Sequence, residues 1–284
     1  NEKNLHMKID GVEVSWFAPL CDGDDDFLGN RNPTFKSSWE NTSKIIKTAD
    51  ELGFRNVLCP SSYQVGQDTL SYVAGMATIT EQINFLAAVR CGELHPPMLA
   101  RTISTLDHML KGRLTINIIS SDLPGVKLSS SERYARSREV IEILKQSWTQ
   151  DRIEFNGKYY QLSLSTDPVK PYQQNGGPLL YFGGYSPDGV DLCAEHCDVY
   201  LMWPETEQKL QGLMDDMTNR ASDYERLVQF GLRVHVIVRE TEKEARSYAN
   251  SLLSKLDLDL GKDIRNRAQD AASLLSLIHI SEPT

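Results

Sequence analysis

Seven times along the chain, a short apolar, β-branched run is followed by a longer segment of helical period. This alternation constrains the fold more than any other feature. The runs 12–18, 56–59, 83–89, 113–119, 179–182, 198–203 and 231–238 read as strands, and near-continuous apolar character fits strands covered on both faces. The segments 39–52, 69–79, 96–110, 132–148, 187–196, 207–227 and 242–256 read as helices. In the first of these, Ile45, Ile46, Ala49 and Leu52 recur at helical spacing, and Gly53 is placed to stop the helix. Pro96 suits a first helical turn, and Thr241 with Glu244 predicts a capping box before the last helix. Only 153–162, with Asn156-Gly157 between alternating residues, departs from the pattern and reads as a hairpin.

Strict alternation calls for a parallel sheet with helices outside it. A doubly wound sheet also satisfies that rule. However, no G-x-G-x-x-G follows a strand, no Walker-type phosphate loop occurs, and Gly183-Gly184 is too short for either. The pattern therefore predicts an α/β fold: one TIM-type (β/α)8 barrel, spanning residues 1–274, whose eighth strand is missing. Residues 275–284 (LSLIHISEPT) resemble the translated adapter of a sequencing library, so the natural chain is expected to continue past about residue 274. A seven-stranded barrel keeps two open edges, and a chain of that kind is expected to be poorly soluble or inactive.

Composition narrows the partners. Asp plus Glu number 39 against 30 Lys plus Arg, a net charge of −9, and no run of five like charges forms a basic patch. Such a surface repels phosphate backbones, so nucleic acid is not an expected partner. No apolar stretch of about 18 residues suggests a membrane helix, and no apolar segment marks a signal peptide. The five cysteines (21, 59, 91, 193 and 197) are odd in number and scattered, which reads as free thiols in a reducing compartment. A cytoplasmic location is expected.

In a βα barrel, chemistry gathers at the C-terminal ends of the strands. Here those ends carry Cys21, Ser61-Ser62, Arg90-Cys91, Asn117 with Ser120-Ser121-Asp122, Gly183-Gly184-Tyr185-Ser186, Trp203, and Arg233 with His235. The set is polar, rich in hydroxyls and partly aromatic, with no metal cluster. Arg233 and His235 are two apart in a strand and so share a face, with Val234 and Val236 on the other. Together they could bind an anion and move a proton, since histidine exchanges protons near neutral pH. Ser131, Arg133 and Tyr134 at one helix start, and Tyr185-Ser186 at another, could hold a phosphate through amides, guanidinium and hydroxyls. Equally, each could be a simple N-cap. Cys193 and Cys197 flank His196 at a metal-like spacing but read as buried thiols. His95 stays open between structure and site, and Trp16, Trp39 and Trp148 read as packing residues.

The segments VSWFAPL, ADELGFRNVLCPSS, INFLAAVR, LARTISTLDHMLKGRLTINIIS, SERYARSREVIEILKQSW, FNGKYY, PLLYFGGYS, DVYLMW and FGLRVHVIVRETEKEA span most of residues 12–248. In order and spacing they resemble the luciferase-like family of flavin-dependent monooxygenases, and within it the alkanesulfonate monooxygenases. That resemblance implies an enzyme using reduced FMN (FMNH2), delivered by a separate NAD(P)H-dependent flavin reductase, and O2. It would oxidise a small organosulfur compound and desulfonate alkanesulfonates to aldehyde and sulfite. A homo-oligomer, dimer or tetramer, is also implied.

Carried over position by position, Asn117 and Ser61-Ser62 match contacts to the flavin ring system. Arg133, Tyr134 and Ser186 match residues around the FMN phosphate. Arg233, His235 and Trp203 match active-site residues: Arg233 to bind the sulfonate or steady the oxygenated flavin anion, His235 to orient or protonate it. The chain departs from the alkanesulfonate enzymes at Cys21, where they have histidine, at Arg31, where they have an acid, and around Gln64-Val65-Gly66, where they have cysteine. Cys21 and Arg31 are thus candidate substrate contacts, and the charge of Arg31 favours an anionic substrate. Two alternatives remain: a deazaflavin- or FMN-dependent oxidoreductase of the same superfamily acting on another substrate, and a non-catalytic flavin-binding protein.

Overall fold

The computed structural model describes residues 11–21, 26–27, 37–61, 66–166, 169–255 and 259. Arg31, Ser62 and the segment 275–284 lie outside them, as does most of the acidic stretch 22–26. Seven parallel strands form one sheet: β1 (Ser15–Phe17), β2 (Asn56–Cys59), β3 (Asn84–Arg90), β4 (Leu114–Ile119), β7 (Leu180–Gly183), β8 (Val199–Met202) and β9 (Gln229–Leu232). Each is followed by a helix: α1 (Trp39–Glu51), α2 (Thr69–Met76), α3 (Pro96–Met109), α4 (Ser130–Thr149), α5 (Pro187–His196), α6 (Glu207–Asp223) and α7 (Glu242–Leu253). The antiparallel hairpin β5 (Arg152–Asn156) and β6 (Gln161–Ser165) stands apart between α4 and β7.

This is the expected parallel barrel with seven strands, and no eighth strand joins β1 to β9 among the described residues. The expected stops hold as well. Gly53 follows α1 at φ +80, a left-handed backbone that glycine adopts without strain, and Thr241 and Glu244 form the capping box of α7.

The first strand, expected over 12–18, spans only Ser15–Phe17, the helix expected over 207–227 ends at Asp223, and the last strand changes most. The last strand was expected over 231–238 but ends at Leu232. The amide of Arg233 makes the final rung, donating to the Met202 carbonyl at 2.9 Å, and β8 ends there. With no further strand alongside, Val234, Val236 and Val238 stand exposed.

Strand residues alternate between two cores. Val57, Phe85, Ala87, Ile116, Phe182 and Tyr200 face outward into the layer shared with the helices. Leu58, Leu86, Tyr181, Val199 and Leu201 face the other way and pack together inside the curl of the sheet. Buried polar anchors fix the layers to one another. The Asp50 carboxylate, at the end of α1, accepts the amides of Glu81, Gln82 and Ile83 at 2.8, 3.0 and 2.7 Å. Burial raises its pKa, but these bonds and the charge of Arg113 outweigh that and hold it below the usual range. Glu139 of α4 likewise takes the amides of Lys158, Tyr159 and Tyr160, at 2.6, 2.9 and 3.0 Å, pinning the hairpin loop.

His196 closes α5 in the packed seam between α4 and α5, beside the buried thiols Cys193 and Cys197. Burial pushes its pKa down to about 3, helped by the charges of Lys145, Arg138 and Arg226. Its Nε2 lies 3.6 Å from Glu195 and 3.8 Å from Glu142, beyond hydrogen-bond distance, and Glu195 is taken by Arg138 at 2.7 Å. As pH falls below about 6.5, the unfolded chain therefore gains a proton that the folded chain refuses, and stability is lost. His196→Gln should remove roughly 2 kcal/mol of the stability loss between pH 7 and pH 5. Urea unfolding at the two pH values measures this, and an unchanged difference would contradict it.

Candidate active site

At the C-terminal rim of the sheet, two deeply buried arginines tie the strand ends together. Arg90, ending β3, is 4% exposed. Its Nη1 donates to the Ser121 hydroxyl and, at 3.3 Å, to the Asp122 carbonyl, while its Nη2 reaches the Ser61 carbonyl at 3.3 Å. Arg133, in the first turn of α4, donates to the carbonyls of Ser120 at 3.0 Å and Leu128 at 3.2 Å and lies 3.6 Å from the Asp122 carboxylate. The sequence suggested Arg133 as a phosphate ligand. In the structure its guanidinium is turned into the loop after β4, which it shapes.

Inside that rim, polar atoms wait for partners. Asn117 Oδ1 and Ser120 Oγ are buried with no hydrogen bond among the described residues. Asn117 sits opposite Ala88 on one side and Tyr181 on the other, on the inner face of the sheet. A buried polar atom left without a hydrogen bond costs about 1–3 kcal/mol. A bound polar ring edge would remove that cost.

The starts of α4 and α5 meet nearby. The Ser186 hydroxyl caps α5 by accepting from the Gly189 amide at 3.3 Å and donates to Tyr134 Oη at 3.0 Å. The backbone is close here: a Cβ on Gly189 would come within 2.7 Å of Tyr134 Oη, and one on Gly184 within 3.0 Å of the Phe182 ring. Both helix starts carry their own acid. Glu132 completes the capping box of α4, and Asp188 takes the Ser130 hydroxyl at 3.2 Å. The capacity for anions expected of bare helix ends is therefore partly used, and the Ser186 hydroxyl proton is given to Tyr134.

Across the mouth, Arg233 lies between two rings. Its Cζ is 4.5 Å from the Trp203 centroid and 4.8 Å from that of Phe17. Burial lowers its pKa from the ordinary arginine value, although guanidinium remains charged at any physiological pH. Among the described residues no carboxylate comes within ion-pair distance of it. His235, two residues on, is exposed beyond the last rung. Cys21 is half-buried after β1, while Arg31 and Ser62 lie outside the described residues. The structure thus gathers Arg233 with Trp203, and Tyr134 with Ser186, and it sets Asn117 on β4, the neighbour of the strand that leads to Ser186. Sequence reasoning missed Phe17, whose part depends on a contact between the first and last strands.

Residues 12–277 match the family described as luciferase-like monooxygenase. The chain belongs to that family. It is 60% identical over 267 residues to a sulfoquinovose monooxygenase of Agrobacterium fabrum, covering 94% of this chain and 69% of that protein. A sulfoquinovose monooxygenase of Novosphingobium aromaticivorans is 47% identical over 273 residues, covering 93% and 75%. Among solved structures, a riboflavin lyase holding modified FMN superposes with a TM-score of 0.79 at 15% identity, over 88% of this chain and 68% of that one. That likeness shows a shared fold.

These residues suit the flavin that the resemblance implies. Asn117 and Ser120 offer unpartnered polar atoms to a ring edge. Tyr134, whose oxygen accepts the Ser186 hydroxyl, is the hydroxyl suited to a phosphate there. Tyr134→Phe should weaken FMN binding about tenfold, the worth of one charge-assisted hydrogen bond, and Ser186→Ala about threefold, the worth of the neutral bond that orients Tyr134. Fluorescence titration with FMN measures this, and wild-type affinity in both variants would remove the pair from the site.

Proposed function

We propose that the protein is the oxygenase of a two-component, FMNH2-dependent system that desulfonates a sulfonated sugar of the sulfoquinovose type. The observation that carries this reading is Arg233, a cation free of carboxylate partners among the described residues and clasped by two rings at the mouth of the sheet. The two relatives named as sulfoquinovose monooxygenases support it. They also redirect the substrate from the plain alkanesulfonate suggested by the sequence to a sulfonated sugar.

The reaction balances as follows. The carbon bearing the sulfonate takes one oxygen atom of O2 and becomes an aldehyde, the C–S bond breaks, and hydrogensulfite leaves. The other oxygen atom leaves as water, and FMNH2 becomes FMN. Reduced flavin, when bound, supplies the two electrons and activates the oxygen.

The chain's own residues bind, orient and exclude water. Arg233 holds the sulfonate through the edge of its guanidinium, because its faces are covered by Phe17 and Trp203. The same rings keep water from the carbon to be oxidised. Asn117 would hold the flavin ring, and Tyr134, oriented by Ser186, its phosphate. His235, next along the rim, holds or gives a proton at the departing sulfite. The reductase is a separate protein, and the enzyme takes up flavin already reduced.

Arg233→Ala should abolish sulfite release from sulfoquinovose while FMN binding stays within about twofold of wild type. Arg233→Lys should restore little, since a lysine lacks the flat fork that two rings can clasp. The assay is sulfite production with reduced FMN, oxygen and a generic flavin reductase. Wild-type release from Arg233→Ala would overturn the reading.

A further inference from the structure

Trp203 lies one residue past the end of β8, where the ladder no longer fixes it. Its amide instead donates to the Tyr185 hydroxyl. Tyr185 belongs to the loop that joins β7 to α5, and that loop is itself held on both sides. The Gly184 carbonyl before it accepts the Tyr200 hydroxyl at 2.8 Å, and Ser186 after it caps α5. The Tyr185 ring meets that of Tyr200 edge to face, with centroids 6.4 Å apart. A contiguous set of contacts therefore runs from this loop through Tyr185 to the backbone of Trp203, and from the Trp203 ring to Arg233. On the other side of Arg233, the Phe17 ring stands on β1, steadied by its place in the β1–β2 ladder opposite Leu58.

We propose that Tyr185 and Phe17 are positioning residues for the anionic end of the substrate: Tyr185 seats Trp203 against one face of Arg233 and Phe17 covers the other. Neither residue supplies a charge. Their effect is to leave the guanidinium one orientation, with its faces covered and its N–H edge turned to the mouth. An arginine free to swing would lose that orientation each time it bound an oxyanion, and affinity would fall through the entropy of ordering it. Tyrosine at 185 suits the task because it alone among the aromatic residues couples a ring that packs on Tyr200 to an oxygen that can accept an amide. This inference rests on the sulfonate reading of Arg233 given above.

Tyr185→Phe removes only the accepting oxygen, and Phe17→Leu removes only the aromatic face. Each should raise KM for the sulfonated sugar about fivefold, the worth of one ordinary hydrogen bond or one cation–π contact, with kcat and FMN affinity within about twofold. Direct calorimetric binding of the sugar sulfonate should weaken by the same factor. Phe17→Tyr, which keeps the ring, should restore wild-type KM, a rescue that a loss of general packing would not show. KM unchanged in Tyr185→Phe and Phe17→Leu, beside a raised KM in Arg233→Lys, would overturn the positioning role and leave the site standing. FMN affinity falling in step with KM in Tyr185→Phe would overturn it too, by assigning Tyr185 to the cofactor. If Arg233→Lys and Arg233→Ala leave sugar binding untouched, the sulfonate reading itself fails, and the inference with it.

Discussion

Every strand of this sheet has to satisfy two faces at once. Because the side-chain period in a strand is two, one set of residues must suit the helices outside and the other must suit the inside of the curl. The outer set is apolar without interruption, from Val57 and Phe85 through Ile116 to Tyr200. The inner set changes character along the strand. It is apolar in the middle, at Leu58, Leu86, Val199 and Leu201, and polar or charged at the C-terminal rim, at Asn117, Arg90 and Arg233. The site exists because the inner face is allowed to become polar only where the sheet opens.

That change carries a cost in unsatisfied polar groups, and the rim meets it in two different ways. Arg90 and Arg133 are nine-tenths buried and direct their guanidinium groups to backbone carbonyls, which locks the ends of β2, β3 and β4 and the start of α4 into one frame. Asn117 and Ser120, held within that frame, keep unpartnered oxygens. The first pair makes a rigid mouth, and the second leaves that mouth with something to bind. Asp50 and Glu139 do comparable work lower down, each gathering three backbone amides so that α1 and α4 cannot slide against the chain they support.

The sequence made most of this frame legible, because strand and helix periods are local signals. The β2 limits and the α5 limits fall where the spacing placed them, whereas the strand face expected for Arg233 and His235 does not form, because β9 ends before both. The end of β9 was less legible. Val234, Val236 and Val238 continue the β-branched pattern, yet a strand also needs a neighbour, and β8 stops at Met202. The role of Arg133 was readable only as a cation at a helix start, since nothing local says whether such a guanidinium turns outward to a ligand or inward to carbonyls of its own loop. Phe17 was not readable at all, and Tyr185 was readable only as a rim residue at a candidate phosphate site. Their significance lies in contacts with Arg233 and Trp203, over separations of 216 and 18 positions, that only the closing of the sheet creates.

The contrast among the arginines explains how a net acidic protein can favour an anion. A guanidinium held by a carboxylate is steady, but its partner repels an arriving oxyanion and has to be displaced. One turned to carbonyls and a carboxylate of its own loop, as Arg133 is, directs its donors inward. Rings offer a third kind of support: they attract a cation through their faces while leaving every N–H unspent and adding no negative charge. Arg233 is the rim arginine held in this way, and its partial burial lowers the water competition that would otherwise weaken each bond it makes. On the proposed reading, selectivity for a sulfonate over an uncharged sugar follows from how the cation is supported, and the aromatic residues around it are as much a part of recognition as the charge itself.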